Sequence, residues 1–87
     1  MRTVSKYALA EHYRQTLVVP LGARVLTIQF QGSIPTLWVE VDTDETARQQ
    51  RYILMIETGE AIPDEPGEYI TTLQEPGNGF ITHWFVR

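Results

Sequence analysis

Residues 24–41 read Arg24-Val25-Leu26-Thr27-Ile28-Gln29-Phe30-Gln31, then Gly32-Ser33-Ile34-Pro35, then Thr36-Leu37-Trp38-Val39-Glu40-Val41. Successive side chains of a strand point to opposite faces, so an apolar residue at every second position marks a strand with one buried face. Leu26, Ile28 and Phe30 take one face of the first run; Thr27, Gln29 and Gln31 take the other. In the second run Leu37, Val39 and Val41 point inward, and Thr36, Trp38 and Glu40 outward. The Gly32-Ser33 pair between them suggests a hairpin turn. Two half-buried antiparallel strands therefore sit at the centre of the chain.

The same pattern extends in both directions. Gly and Pro recur at short intervals, and the runs between them are rich in Val, Ile, Leu, Thr and aromatics. Further strands are expected over Thr3 to Leu9, Gln15 to Val19, Arg51 to Thr58, Glu68 to Gln74 and Gly79 to Val86. Asp42 to Gln50 is polar and has no apolar stripe, so it reads as a hairpin loop. Ala8 to Arg14 is too short to assign. The expectation is one all-β domain over residues 1–87. It would have six or seven short antiparallel strands in a small barrel or sandwich, with little or no helix.

Two strands do not alternate. Tyr52 to Ile56 is apolar at every position, and Phe80 to Val86 is largely apolar on both faces. Such strands must be covered on both sides. With no long helix to serve, the second cover is a folded-over part of the chain or another subunit. Tyr52, Leu54, Ile56 and Trp84 are the candidates for self-association into a homo-oligomer.

Composition narrows the setting. Eighty-seven residues make one domain, and no cysteine is present to staple it. No apolar signal core follows Met1, and no apolar run is long enough to span a bilayer. These features point to a cytoplasmic protein without a membrane partner. The formal net charge is −4, with one lysine and six scattered arginines. Phosphate binding needs clustered cations, so direct nucleic-acid contact is not expected.

No catalytic constellation can be assembled. His12 and His83 are the only histidines and are far apart in sequence, so no metal set is expected. His83 could act as a base or a pH sensor, or be a strand histidine bonded to its neighbours. Ser5 and Ser33 lie in no nucleophile elbow. Gly77-Asn78-Gly79 is a turn, since no helix follows it to hold phosphate. No cofactor and no enzymatic activity are expected.

Two features suggest a binding surface. Trp38 shares its face with Thr36 and Glu40, and a tryptophan among polar residues is a candidate anchor. A register one residue out would instead bury it. The stretch from Glu57 to Glu68 holds Glu57, Glu60, Asp64, Glu65 and Glu68 without a lysine or arginine. It could complement a basic groove on another protein, or simply be a solvated loop.

The motifs Lys6-Tyr7 with Leu9, Arg14-Gln15-Thr16-Leu17 and Pro20-x-Gly22-Ala23 open one pattern. It continues with Thr36-Leu37-Trp38, Val41-Asp42 and Thr58-Gly59, and ends with Tyr69-Ile70-x-Thr72 and His83-x-Phe85. The whole resembles a family of small phage and prophage proteins of unknown function. The resemblance implies an accessory protein made in a bacterial host. Such a protein would bind and inhibit a host protein, with counter-defence, including anti-CRISPR action, as the sharpest form. Two alternatives stand beside it. One is a homo-oligomer that binds a small molecule or nucleotide between subunits; the other is a phage structural component.

Overall fold

The computed structural model describes all 87 residues. Seven strands form: β1 (Arg2–Ala8), β2 (Arg14–Pro20), β3 (Arg24–Gln31), β4 (Ile34–Asp42), β5 (Arg48–Glu57), β6 (Glu68–Gln74) and β7 (Ile81–Val86). They make two antiparallel sheets, of order β1-β4-β3 and β2-β5-β7-β6. The sheets are not closed into a barrel, so the fold is sandwich-like. No helix is present, and none is long and apolar enough to cross a membrane.

The β3–β4 hairpin is the one read from the central stretch. Gln31 pairs with Ile34 across the two-residue loop Gly32-Ser33. Gly32 has a φ of 62° while Ser33 stays out of the left-handed region. A glycine with positive φ at the first loop position is the type II′ pattern, whose twist matches the flanking strands.

One detail of β3 departs from simple alternation. Val25 pairs with Val39 and Thr27 with Trp38, so Leu26 is the extra residue of a bulge. Leu26 is therefore exposed, and Val25 packs against the core in its place. Ile28 and Phe30, beyond the bulge, keep their expected inward face. A second bulge at Ile70 shifts β6 against β7. The polar segment after β4 is shorter than expected, because β5 already starts at Arg48. β7 begins at Ile81, which leaves Phe80 outside the strand and exposed.

The core lies between the sheets. Leu37, Val39 and Val41 of β4 and Ile28 of β3 meet Val19, Ile53, Leu73, Trp84 and Val86 of the other sheet. Trp84 is 1% exposed and donates its indole N–H to Thr82 Oγ1 at 2.9 Å. The hydrogen bond satisfies the one polar atom that its burial takes from water.

The second face of the four-stranded sheet has its own cover. β5 and β6 flank β7 and are both antiparallel to it, so they run parallel to each other. The connection from Glu57 to Glu68 must then travel the length of β7 to reach the start of β6. Residues 58–67 do so across the outer face of the sheet, as a strap. Beneath it Leu54, Ile56 and Phe85 form a separate buried cluster. Leu54, Ile56 and Trp84 are three of the four candidates for self-association. At 5%, 2% and 1% exposure all three are covered within a single chain, and only Tyr52 of that set remains exposed.

Candidate functional site

The outer face of the three-stranded sheet is built by parity. β4 is its central strand, and Trp38, Glu40 and Asp42 alternate outward from it. Register places Lys6 and Thr27 on either side of Trp38, and Val4 and Arg24 on either side of Glu40. No other strand packs over this face, because the core side of the sheet takes the second sheet.

Charges frame the tryptophan. Arg2 Nε donates to Glu40 Oε2, and Arg24 donates to Glu40 Oε1 through Nε at 3.1 Å and Nη2 at 2.7 Å. These bonds, Arg2's first and Arg24's second, hold the Glu40 carboxyl below the usual carboxylate range. Asp42 is likewise lowered, first by the Asp44 backbone N–H and then by the Met1 ammonium. Lys6 Nζ lies 5.7 Å from the centre of the Trp38 ring and donates to Gln31 Oε1 at 2.8 Å. Trp38 is thus a half-buried ring with a cation beside it. Around it Val4 and Leu26 stand 57% and 40% exposed. The exposure of Leu26 follows from the β3 bulge, a signal that alternation alone does not reveal.

The acidic residues lie elsewhere. Glu57, Glu60, Asp64, Glu65 and Glu68 belong to the strap or its two ends, over the outer face of the four-stranded sheet. Trp38 and the acidic run therefore occupy opposite faces of the sandwich, and no single flat partner surface meets both. Two of the five carboxylates also have local partners. Glu60 Oε1 accepts the Glu57 backbone N–H at 2.8 Å, and Glu65 Oε2 lies 4.0 Å from Arg87 Nη1. The run is more than a solvated loop, because it roofs Leu54, Ile56 and Phe85.

His83 fastens the strap. Its Nε2 bonds Thr58 Oγ1 at 2.8 Å and its Nδ1 bonds Thr72 Oγ1 at 2.9 Å; Thr72 Oγ1 in turn bonds Tyr69 OH at 2.7 Å. Both ring nitrogens are occupied by hydroxyls from the strap and from β6. The geometry is that of a histidine bonded to its neighbours. His12 is exposed in the β1–β2 loop, far from His83 in sequence. No group of three His, Asp or Glu side chains is placed to hold a metal ion.

The whole chain, residues 1–87, matches a family described as a domain of unknown function (DUF7352). No curated protein and no solved structure matches it.

Proposed function

The chain belongs to the DUF7352 family, and we propose that it is a non-enzymatic binding protein of phage type that acts by occupying the surface of a host protein. The open face around Trp38 is the contact surface. One observation carries this reading: Trp38 is held half-buried on a sheet face that no other strand covers. Tryptophan concentrates binding energy when a partner completes its burial, and here Val4 and Leu26 extend the apolar patch. Arg2, Arg24, Lys6 and Glu40 form its polar rim. In its sharpest form the host protein belongs to antiviral defence. That form is supported by the resemblance to small phage proteins.

The test is capture from bacterial lysate with the intact chain and with Trp38→Ala, followed by measured affinity for each recovered protein. The variant is expected to weaken binding by about tenfold or more. Recovery of the same proteins with unchanged affinity would remove Trp38 from the contact. Recovery of none would count against the whole reading. The homo-oligomer alternative no longer draws on the doubly apolar strands, which are covered inside one chain.

A further inference from the structure

The strap leaves a cleft of about 390 Å³ between its second half and the outer face of β2 and β5. This volume lies at the small end of the range for small-molecule sites. The cleft's position follows from register. Thr16 pairs with Tyr52, and Tyr52 exchanges backbone hydrogen bonds with Arg87 at 3.0 and 2.8 Å. Thr16, Tyr52 and Arg87 therefore form one row across the sheet. Arg14 pairs with Leu54 in the adjacent row. Pro63 and Pro66 of the strap close the opposite wall.

In a chain of net charge −4, two of the seven cationic side chains line one small cleft. They lie two strands apart and in rows two residues apart, so their backbones are separated by about 12 Å. Guanidinium groups on such a span can converge on one ligand between them. Each is also preset. The Arg87 guanidinium lies 5.1 Å from the Tyr52 ring centre, and that of Arg14 lies 5.2 Å from the Tyr13 ring. Stacking occupies the flat face of a guanidinium and leaves its in-plane N–H donors; Arg87 Nη1 donates to the Glu65 carbonyl oxygen at 3.3 Å, and the remaining donors are left for an oxyanion. Arg14 makes no ion pair, and the Glu65 carboxylate near Arg87 is 87% exposed at 4.0 Å. The Tyr52 ring, Leu54 and the two prolines supply an apolar bed beside these donors.

We infer that this cleft binds a small aromatic oxyanion, a planar ring carrying a carboxylate or a phosphate. Arg14 and Arg87 hold the anionic group, and the ring lies between Tyr52 and the strap prolines. The site is on the opposite side of the sandwich from Trp38 and is independent of protein binding there.

The experiment is a nuclear magnetic resonance titration of the ¹⁵N-labelled chain with phenyl phosphate, benzoate and phenol. Either anion is expected to shift the Arg14 and Arg87 side-chain N–H signals and the Thr16 and Tyr52 amides, at roughly millimolar affinity. Stronger binding of phenyl phosphate than of benzoate assigns a phosphate ligand, and the reverse assigns a carboxylate. Arg14→Gln and Arg87→Gln alter side chains at the sheet surface, and the amide spectrum checks that each variant folds. Each is expected to weaken anion binding about tenfold. Glu65→Gln is expected to strengthen it at least about twofold by removing a competing carboxylate. Phenol binding as well as the anions, no response to any of the three, or unchanged affinity in both arginine variants would overturn the assignment.

Discussion

Gly67 faces the backbone of Val86 so closely that an added Cβ would lie 2.5 Å from the Val86 carbonyl oxygen. The contact joins the last residue of the strap to the end of β7. Gly67 also has a φ of 92°, in a region that L side chains rarely adopt. Gly67→Ala is therefore expected to destabilise the fold by at least about 2 kcal/mol. Urea denaturation of the variant measures it, and a loss under half that size would mean that the strap is not held at this point.

Two residues earlier the reverse change should help. Glu65 has a φ of 54°, the one non-glycine residue with positive φ. Its side chain is almost wholly in water, so its removal forfeits little packing. Glu65→Gly is expected to be neutral or stabilising by up to about 1 kcal/mol. Thermal unfolding distinguishes this from the destabilisation expected if the Glu65–Arg87 pair held the strap.

The β3 bulge makes a sharp contrast between two neighbours. Val25 packs on the core while Leu26 is 40% exposed. Leu26→Ser is expected to change stability by no more than about 0.5 kcal/mol, and Ile28→Ala to cost about 2–5 kcal/mol. Equal costs at Leu26 and Ile28 would place both in the core and deny the bulge.

The clamp on Glu40 gives a pH signature. Its carboxyl is lowered in the folded state by Arg2 and Arg24. A lowered folded pKa stabilises above the ordinary carboxylate value, and the contribution fades as pH falls through the folded value. The melting temperature of Glu40→Gln should therefore lie below that of the intact chain at neutral pH. The gap should close as the pH drops below about 4. A gap that persisted unchanged in acid would locate the effect in packing rather than charge.

The chain should be monomeric. Its accessible surface is 5459 Å², against about 5,200 Å² expected for a folded monomer of 10.0 kDa. Ile53, Trp84 and Val86 on one face of β5 and β7, and Leu54, Ile56 and Phe85 on the other, are buried without a second copy. Light scattering during size-exclusion chromatography should return the monomer mass, and a stable dimer would show that an exposed face, such as that of Trp38, is a self-contact.

Local chemistry determined much of this protein before any folding in space. The alternation of Leu37, Val39 and Val41 against Trp38 and Glu40 set the inner and outer faces of β4, because a strand's side chains have a period of two. Gly32-Ser33 set the first hairpin, because only certain residues accept that turn. The unbroken apolar run at Tyr52 to Ile56 required a cover on both faces.

Only the tertiary structure decided what that cover is. The order β5-β7-β6 separates two consecutive strands by a third, and this sends the acidic strap over the sheet. Strand order depends on pairings between residues distant in sequence, and period-two patterning carries no record of them. The bulge at Leu26, the separation of Trp38 from the acidic run and the placing of Arg14 and Arg87 along one cleft all depend on register in the same way. Faces are a property of one strand and can be read from it; neighbours are a property of the sheet and exist only once the strands have paired.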